Sequence, residues 1–234
     1  MTWISGELQI IQLPGIPIDQ HLLYSQYREN ENLMNIRKTA LILSEMQNDY
    51  LHADGAYGRA HIRLPNNRAV IEQLIKVTNA FRENGGKIIT VNFSLICDKD
   101  NKPLISEELK QDCPFLTRGD FQIGRWGHQL VEELAPADYA INKISESCFH
   151  MTHLEWLLRK LGVDTLIFGG LMTNEGLASS LRDAQNRSFK TILLQDGSGS
   201  FSIASQEAAL RSLSFVTEIS TCTDVCGKIQ QLTY

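Results

Sequence analysis

Thr165-Leu-Ile-Phe-Gly-Gly-Leu-Met-Thr-Asn-Glu-Gly-Leu-Ala-Ser-Ser180 decides how the rest of the chain is read. The apolar run Leu166 to Phe168 predicts a strand, Gly169-Gly170 a tight turn, and Thr173 or Asn174 the cap that opens a helix. The first turn of a helix leaves backbone N–H groups without partners and carries the positive end of the helix dipole. A strand-to-helix junction of this kind therefore suits an oxyanion or a carboxylate. The turn offers no cysteine, and its serines, Ser179 and Ser180, come a helical turn later.

Upstream, Thr39-Ala-Leu-Ile-Leu-Ser44 is the continuous apolar run expected of a strand buried on both faces. Glu45, Gln47, Asn48 and Asp49 follow at once, and a carboxylate at the C-terminal end of a central parallel strand stands where open α/β sheets place their ligands. The same position suits an acid that only caps or salt-bridges a loop. An apolar stripe, Val70, Leu74, Ile75, Val77, Ala80 and Phe81, predicts a helix over 66–84 ended by Gly85-Gly86. Strands are expected at 87–93 and 139–142, the latter followed directly by Lys143, with a short helix over 127–134 between them. Helices over 150–161, 173–186 and 202–212 alternate with strands at 189–194, which has Asp196 at its end, and 215–219. This order predicts a three-layer α/β/α architecture with a six-stranded parallel sheet, a Rossmann-like arrangement. Residues 1–37, polar and broken by Pro14 and Pro17, read as an N-terminal arm with a short strand or hairpin that packs on a neighbouring subunit. Residues 38–234 read as the α/β domain.

From Ser94 to about Arg125 the chain is polar and interrupted by Pro103, Pro114 and Gly119, with helical character only near 106–110. A segment this long without regular structure reads as a lid or substrate wall. Phe115, Arg118, Phe121, Arg125 and Trp126 are its candidate substrate contacts, although loop aromatics commonly just pin a loop to the body.

With 234 residues, 43% hydrophobic and 21% charged, the composition is that of an ordinary folded chain. A net charge of -5 argues against a nucleic-acid surface. No apolar run approaches the roughly 20 residues that span a bilayer, and the first residues lack a secretion signal, so the expectation is a cytoplasmic protein without membrane contact. Cys97, Cys113, Cys148, Cys222 and Cys226 are odd in number and irregular in spacing, which predicts reduced thiols and no zinc site. No phosphate-binding glycine loop is present, and no cofactor is expected.

Three blocks carry a resemblance. Ala40-Leu-Ile-Leu-Ser-Glu-Met-Gln-Asn-Asp-Tyr50, then Asn142-Lys143 with Ser147-Cys-Phe-His-Met-Thr152, then Gly170-Leu-Met-Thr-Asn-Glu-Gly176 with Ser180-Leu-Arg-Asp-Ala184 are similar to the isochorismatase-like cysteine hydrolase superfamily over about residues 38 to 215. The resemblance implies that superfamily's fold, a small-molecule substrate, and self-association into a homo-oligomer. Its amidohydrolases use an Asp, a Lys and a Cys, whose positions fall by resemblance on Glu45, Lys143 and Gly176. A thiol attacks only as thiolate, a carboxylate can take its proton, and an ammonium holds that carboxylate charged. Here the acid is one methylene longer and the nucleophile is absent. The isochorismatases proper, which protonate an enol ether and let water add, resemble this chain in having glycine at the Cys position. That similarity implies Glu45 as acid or base and Lys143 as its electrostatic partner, although Phe93 stands where that subgroup has a polar residue. Met172, Thr173, Glu175, Phe93, Tyr50 and Trp126 are the expected oxyanion or substrate-binding residues, and the Leu171–Met172 peptide is expected to be cis. Two further ideas are Cys148 as a substitute nucleophile, against its reading as a small buried thiol, and Glu175 as a second carboxylate beside Glu45. Nicotinamidases of the superfamily bind metal through an Asp-x-His after the second strand, and Asn92-Phe-Ser-Leu-Ile-Cys97 offers none, so no metal is expected. The competing expectation is a non-catalytic relative that binds a small ligand or a protein partner.

Overall fold

The computed structural model describes residues 2–4, 7–9, 34–100 and 102–230, and the chain divides into two units, Met1–Asn32 and Leu33–Tyr234. In the first unit, β1 (Thr2–Ile4) and β2 (Glu7–Gln9) pair antiparallel, with Thr2 opposite Gln9. The arm from residue 10 to 33, and with it the expected packing on a neighbouring subunit, lies outside the described residues.

The second unit is built on β3 (Thr39–Ser44), β4 (Lys87–Phe93), β5 (Tyr139–Lys143), β6 (Thr165–Leu171), β7 (Lys190–Gly199) and β8 (Glu218–Ser220). They form the expected six-stranded parallel sheet in the order β5-β4-β3-β6-β7-β8. Every residue of β3 is buried because both its faces are covered: Leu41 and Leu43 join one core, Ala40 and Ile42 the other. That is why this strand reads as an unbroken apolar run.

Helices α1 (Asn48–Leu51) and α2 (Ala56–Arg59) follow β3, and α4 (Glu107–Asp112) lies in the long loop after β4. On one face, α3 (Asn67–Glu83) buries Val70, Leu74, Val77 and Phe81, and α8 (Cys222–Gln230) adds Cys222, Val225 and Ile229 to the same core. On the other, α5 (Leu154–Lys160), α6 (Ala178–Asn186) and α7 (Ile203–Leu213) contribute Leu158, Leu181 and Leu213. Each such side chain stabilises the fold by about 1.5–3 kcal/mol relative to exposure. The chain steps outward from β3 to β4 to β5 and then returns to β6 on the other side of β3. The point where the order reverses is where open α/β sheets form a ligand crevice. At that point Gly170, with φ of 111°, passes the Ser44 carbonyl so closely that any Cβ would collide with it.

Several element boundaries differ from expectation for local reasons. The helix expected from residue 150 starts at Leu154, because Met151 has φ of 54° and the Thr152 hydroxyl donates to the Cys148 carbonyl at 2.6 Å, closing a turn instead. The helix expected over 127–134 is two single 3-10 turns, Trp126–His128 and Glu132–Leu134, separated by a bridge from Leu130 to Gln47. The helix expected from Thr173 begins as one π turn, Thr173–Leu177, before α6 takes over. β7 continues past Asp196, whose carboxylate accepts the Cys222 N–H at 2.8 Å and so caps α8 rather than facing a ligand. β8 starts at Glu218, leaving Phe215 exposed, and α8 has no counterpart in the expected elements.

Candidate functional site

β3 delivers Glu45 just past its C-terminal end. Its N–H donates to the Val91 carbonyl at 2.8 Å, and its φ of 56° lies in the left-handed region, where a side chain costs about 1–2 kcal/mol. Lys143, the last residue of β5, sits opposite Phe93 of β4 in the parallel register. Its Nζ lies 2.5 Å from Glu45 Oε1 and donates to the Glu146 carbonyl at 2.7 Å. The Lys143 side chain is fully buried and that of Glu45 is 6% exposed. The π turn after β6 completes the group: a Cβ placed on Gly176 would fall 3.0 Å from Lys143 Nζ and 3.6 Å from Glu45 Oε1. Three distant stretches thus converge as the three expected positions. Burial pushes the Glu45 carboxyl above the usual glutamate range; the Lys143 charge and hydrogen bond offset this in part, while the charges of Glu146 and Glu175 add to it.

Met172 and Thr173 are buried beside this group, and the Leu171–Met172 peptide is cis. The Thr173 hydroxyl is fully buried and has no hydrogen-bond partner among the described residues. Glu175 is exposed and accepts from the Asn174 amide at 2.9 Å, so its influence on Glu45 is through charge rather than as a paired carboxylate. Phe93 packs edge-on to Phe121 at 5.5 Å, and Tyr50 lies 4.6 Å from Phe121 and 4.9 Å from Tyr57. These two expected binding residues belong to an aromatic cluster, and burial lifts the Tyr50 hydroxyl well above its usual pKa, so it stays protonated. Cys148 is fully buried and its thiol is pushed up to about 12 by that burial, which matches the inert reading and not a substitute nucleophile. All five cysteines are free.

The isochorismatase-domain family model matches residues 39–224. The chain belongs to the isochorismatase family. It is 27% identical over 210 residues to the ureidoacrylate amidohydrolase RutB of Agrobacterium fabrum (strain C58 / ATCC 33970), covering 83% of this chain and 91% of that protein. A cysteine hydrolase from Pseudomonas syringae pv. phaseolicola 1448A shares its fold with a TM-score of 0.73 at 23% identity, over 85% of this chain and 95% of that one. The nicotinamidase/pyrazinamidase PncA of Bacillus subtilis superposes with a TM-score of 0.64 at 25% identity, over 78% of this chain and 99% of that one.

In this isochorismatase-family chain Trp126 stands with a different group of side chains. It borders an open cavity of about 390 Å³ in the loops above the sheet, together with Arg59, Arg118, Arg125, Asp49 and Asp120. Asp49 is buried and accepts the N–H groups of Ala56 at 3.1 Å and Phe121 at 2.6 Å; Gly127 packs so close to its carboxylate that a side chain there would collide. Burial raises the Asp49 carboxyl, and the two N–H groups oppose this. Asp120 pairs with Arg59 at 2.6 Å. Sequence reasoning picked out Arg118 and Arg125 but missed Arg59, because no spacing pattern links α2 to the later loop. It also gave no role to Gln47, whose amide donates to the carbonyls of Phe93 at 3.0 Å and His128 at 3.1 Å and accepts the Phe93 N–H at 2.8 Å. Ser94 and His128, 2.8 Å apart, fasten the same junction. Among the described residues, no group of three or more His, Cys, Asp or Glu side chains converges as a metal site, and no helix is long and apolar enough to cross a membrane.

Proposed function

We propose that this isochorismatase-family protein hydrolyses a small molecule without a thiol, with Glu45 as the proton donor and acceptor and Lys143 as its electrostatic partner. The observation that carries the proposal is Glu45 itself: a carboxyl group buried at the sheet's switch point, raised in pKa by that burial, resting on a buried ammonium beside the bare Cα of Gly176. A carboxyl whose burial favours its protonated form and whose ammonium partner favours its charged form is suited to give a proton to a substrate and to take one back. Acid-promoted hydrolysis then balances without a covalent enzyme intermediate. Glu45 protonates an enol ether, water adds to the resulting cation, and the proton that water loses returns to the Glu45 carboxylate as the adduct breaks down to alcohol and carbonyl. Oxygen charge on the substrate would meet Met172 and Thr173 at the N-terminal end of the π turn, a reading supported by the position of that turn after β6. The similarity to an amidohydrolase and to a cysteine hydrolase supports small-molecule hydrolysis as the class, and the glycine turns it toward proton chemistry.

A second reading, a non-catalytic relative that binds a ligand or partner, draws on one observation. The ammonium of Lys143 is already held by Glu45 and the Glu146 carbonyl, in a pair almost closed to solvent. A panel of enol ethers and amides, assayed with the wild-type chain and Glu45→Gln, separates the two. Proton chemistry predicts activity on at least one enol ether and a loss of about 100-fold or more in Glu45→Gln. Activity that survives this substitution unchanged overturns the role given to Glu45, and no activity across the panel favours the binding-only reading.

A further inference from the structure

The loop cavity is a separate feature from the ion pair, since neither Glu45, Lys143 nor Gly176 lines it. Its volume of about 390 Å³ falls in the range of small-molecule sites. Its charge is unequally committed. Three arginines against two carboxylates, 3 − 2, leave one net positive charge on the wall. Both carboxylates are engaged: Asp49 by two backbone N–H groups, and Asp120 by Arg59 together with the N–H and hydroxyl of Thr117 at 2.8 and 3.0 Å. The arginines retain donors. A guanidinium carries five N–H groups; that of Arg118 contacts the Asp100 carbonyl at 2.9 Å, and that of Arg125 has no hydrogen-bond or ion-pair partner among the described residues. Arg59 is spoken for by Asp120 and the Asp54 carbonyl at 2.8 Å, and so serves as the fixed post of the cavity. Trp126, about half exposed at 47%, presents an apolar wall that its edge-on contact with His52, at 4.9 Å, holds in place.

We propose that this cavity binds a small oxyanion, a carboxylate or phosphate group of a metabolite, between Arg118 and Arg125, with the ligand's apolar part against Trp126. Forked guanidinium donors match the paired oxygens of either anion, which is why arginine serves such sites better than lysine. A cation is disfavoured, because the carboxylates on the wall among the described residues, Asp49 and Asp120, already have their hydrogen bonds. The proposal stands independently of the hydrolytic reading, since it invokes no residue of the ion pair.

Inorganic phosphate and malonate are the probes, titrated calorimetrically into the full chain against sodium chloride of matched ionic strength. At least one is expected to bind well above chloride, and Arg118→Ala and Arg125→Ala are each expected to weaken it by about tenfold, the loss of one charge-assisted hydrogen bond. Both side chains are exposed, so these variants should fold; Arg59→Ala is avoided because it would strand Asp120. Tighter phosphate assigns a phosphate-bearing ligand, and tighter malonate a carboxylate. Glu45→Gln should bind the probe as the wild type does, which separates failure of this site from failure of the hydrolytic reading. Binding no stronger than chloride, or affinity unchanged in both arginine variants, overturns the proposal.

Discussion

Two regions on the same end of the sheet handle charge in opposite ways. At the floor, Lys143 and Glu45 are sealed from water and satisfy each other at 2.5 Å. At the rim, beginning four residues further on at Asp49, arginines outnumber carboxylates and face an open cavity. A buried pair costs desolvation on both ions and holds its place only while both are present, whereas an exposed cation loses little of its hydration and can be removed or shared freely. Position in the fold therefore matters more than charge: one lysine at the floor is integral to stability, while an arginine at the rim is available to a ligand.

Deleting one cation from each region tests this most strongly. Lys143→Met should lower the unfolding free energy by about 3–5 kcal/mol at neutral pH, while Arg125→Ala should change it by no more than about 0.5 kcal/mol; urea titrations of both variants give the comparison. The pH dependence has a definite sign. Glu45 has a raised pKa in the folded chain, so the stabilisation it contributes by holding its proton is complete below the ordinary glutamate value of about 4.3 and is lost as pH rises through the folded value. In Lys143→Met the deficit should shrink as the pH is lowered, because a protonated Glu45 no longer needs the ammonium. A deficit independent of pH would show that Lys143 acts by packing alone.

A smaller effect is expected on restoring a side chain at Gly176. Gly176→Cys places a Cβ 3.0 Å from the Lys143 ammonium, which is held by two partners and cannot simply swing away. A cost of about 1–3 kcal/mol is expected. Glu45→Asp withdraws the acid by one methylene, so the double variant should cost less than the sum of the two single ones. Strict additivity would show that the length of the acid and the missing side chain are unrelated. The smallest effect concerns Cys148, which should stay unalkylated by iodoacetamide in the native chain and react only on unfolding, as peptide mass mapping would show; rapid native labelling would reopen it as a nucleophile.

Much of the fold was legible because its signals are periodic. β3 is apolar throughout because both faces are covered, and α3 shows its buried stripe at helical spacing. α8 has no counterpart in the expected elements although Cys222, Val225 and Ile229 are buried at helical spacing, because three apolar positions make too short a pattern to stand out. At the site, Glu45, Lys143 and Gly176 were readable from local motifs, and the chain brings them together. Trp126, also named by the sequence reading, lines the loop cavity. Its neighbour Arg59 had no local signal, since the cavity is assembled by loops distant in sequence. The helix starts expected at 150 and 173 shift for local reasons instead: Met151 takes a positive φ as the Thr152 hydroxyl closes a turn onto the Cys148 carbonyl, and the chain leaves β6 through a π turn, neither of which an apolar stripe signals.

The side chain of Gln47 binds the backbone at Phe93 and at His128 together, the two ends of the long segment after β4. Anchored at that neck and again where Phe121 enters the core and donates its N–H to Asp49, the segment hangs from the sheet by several fixed points, so a substitution at an exposed position such as Lys110 is expected to leave the register of the strands beneath it unchanged.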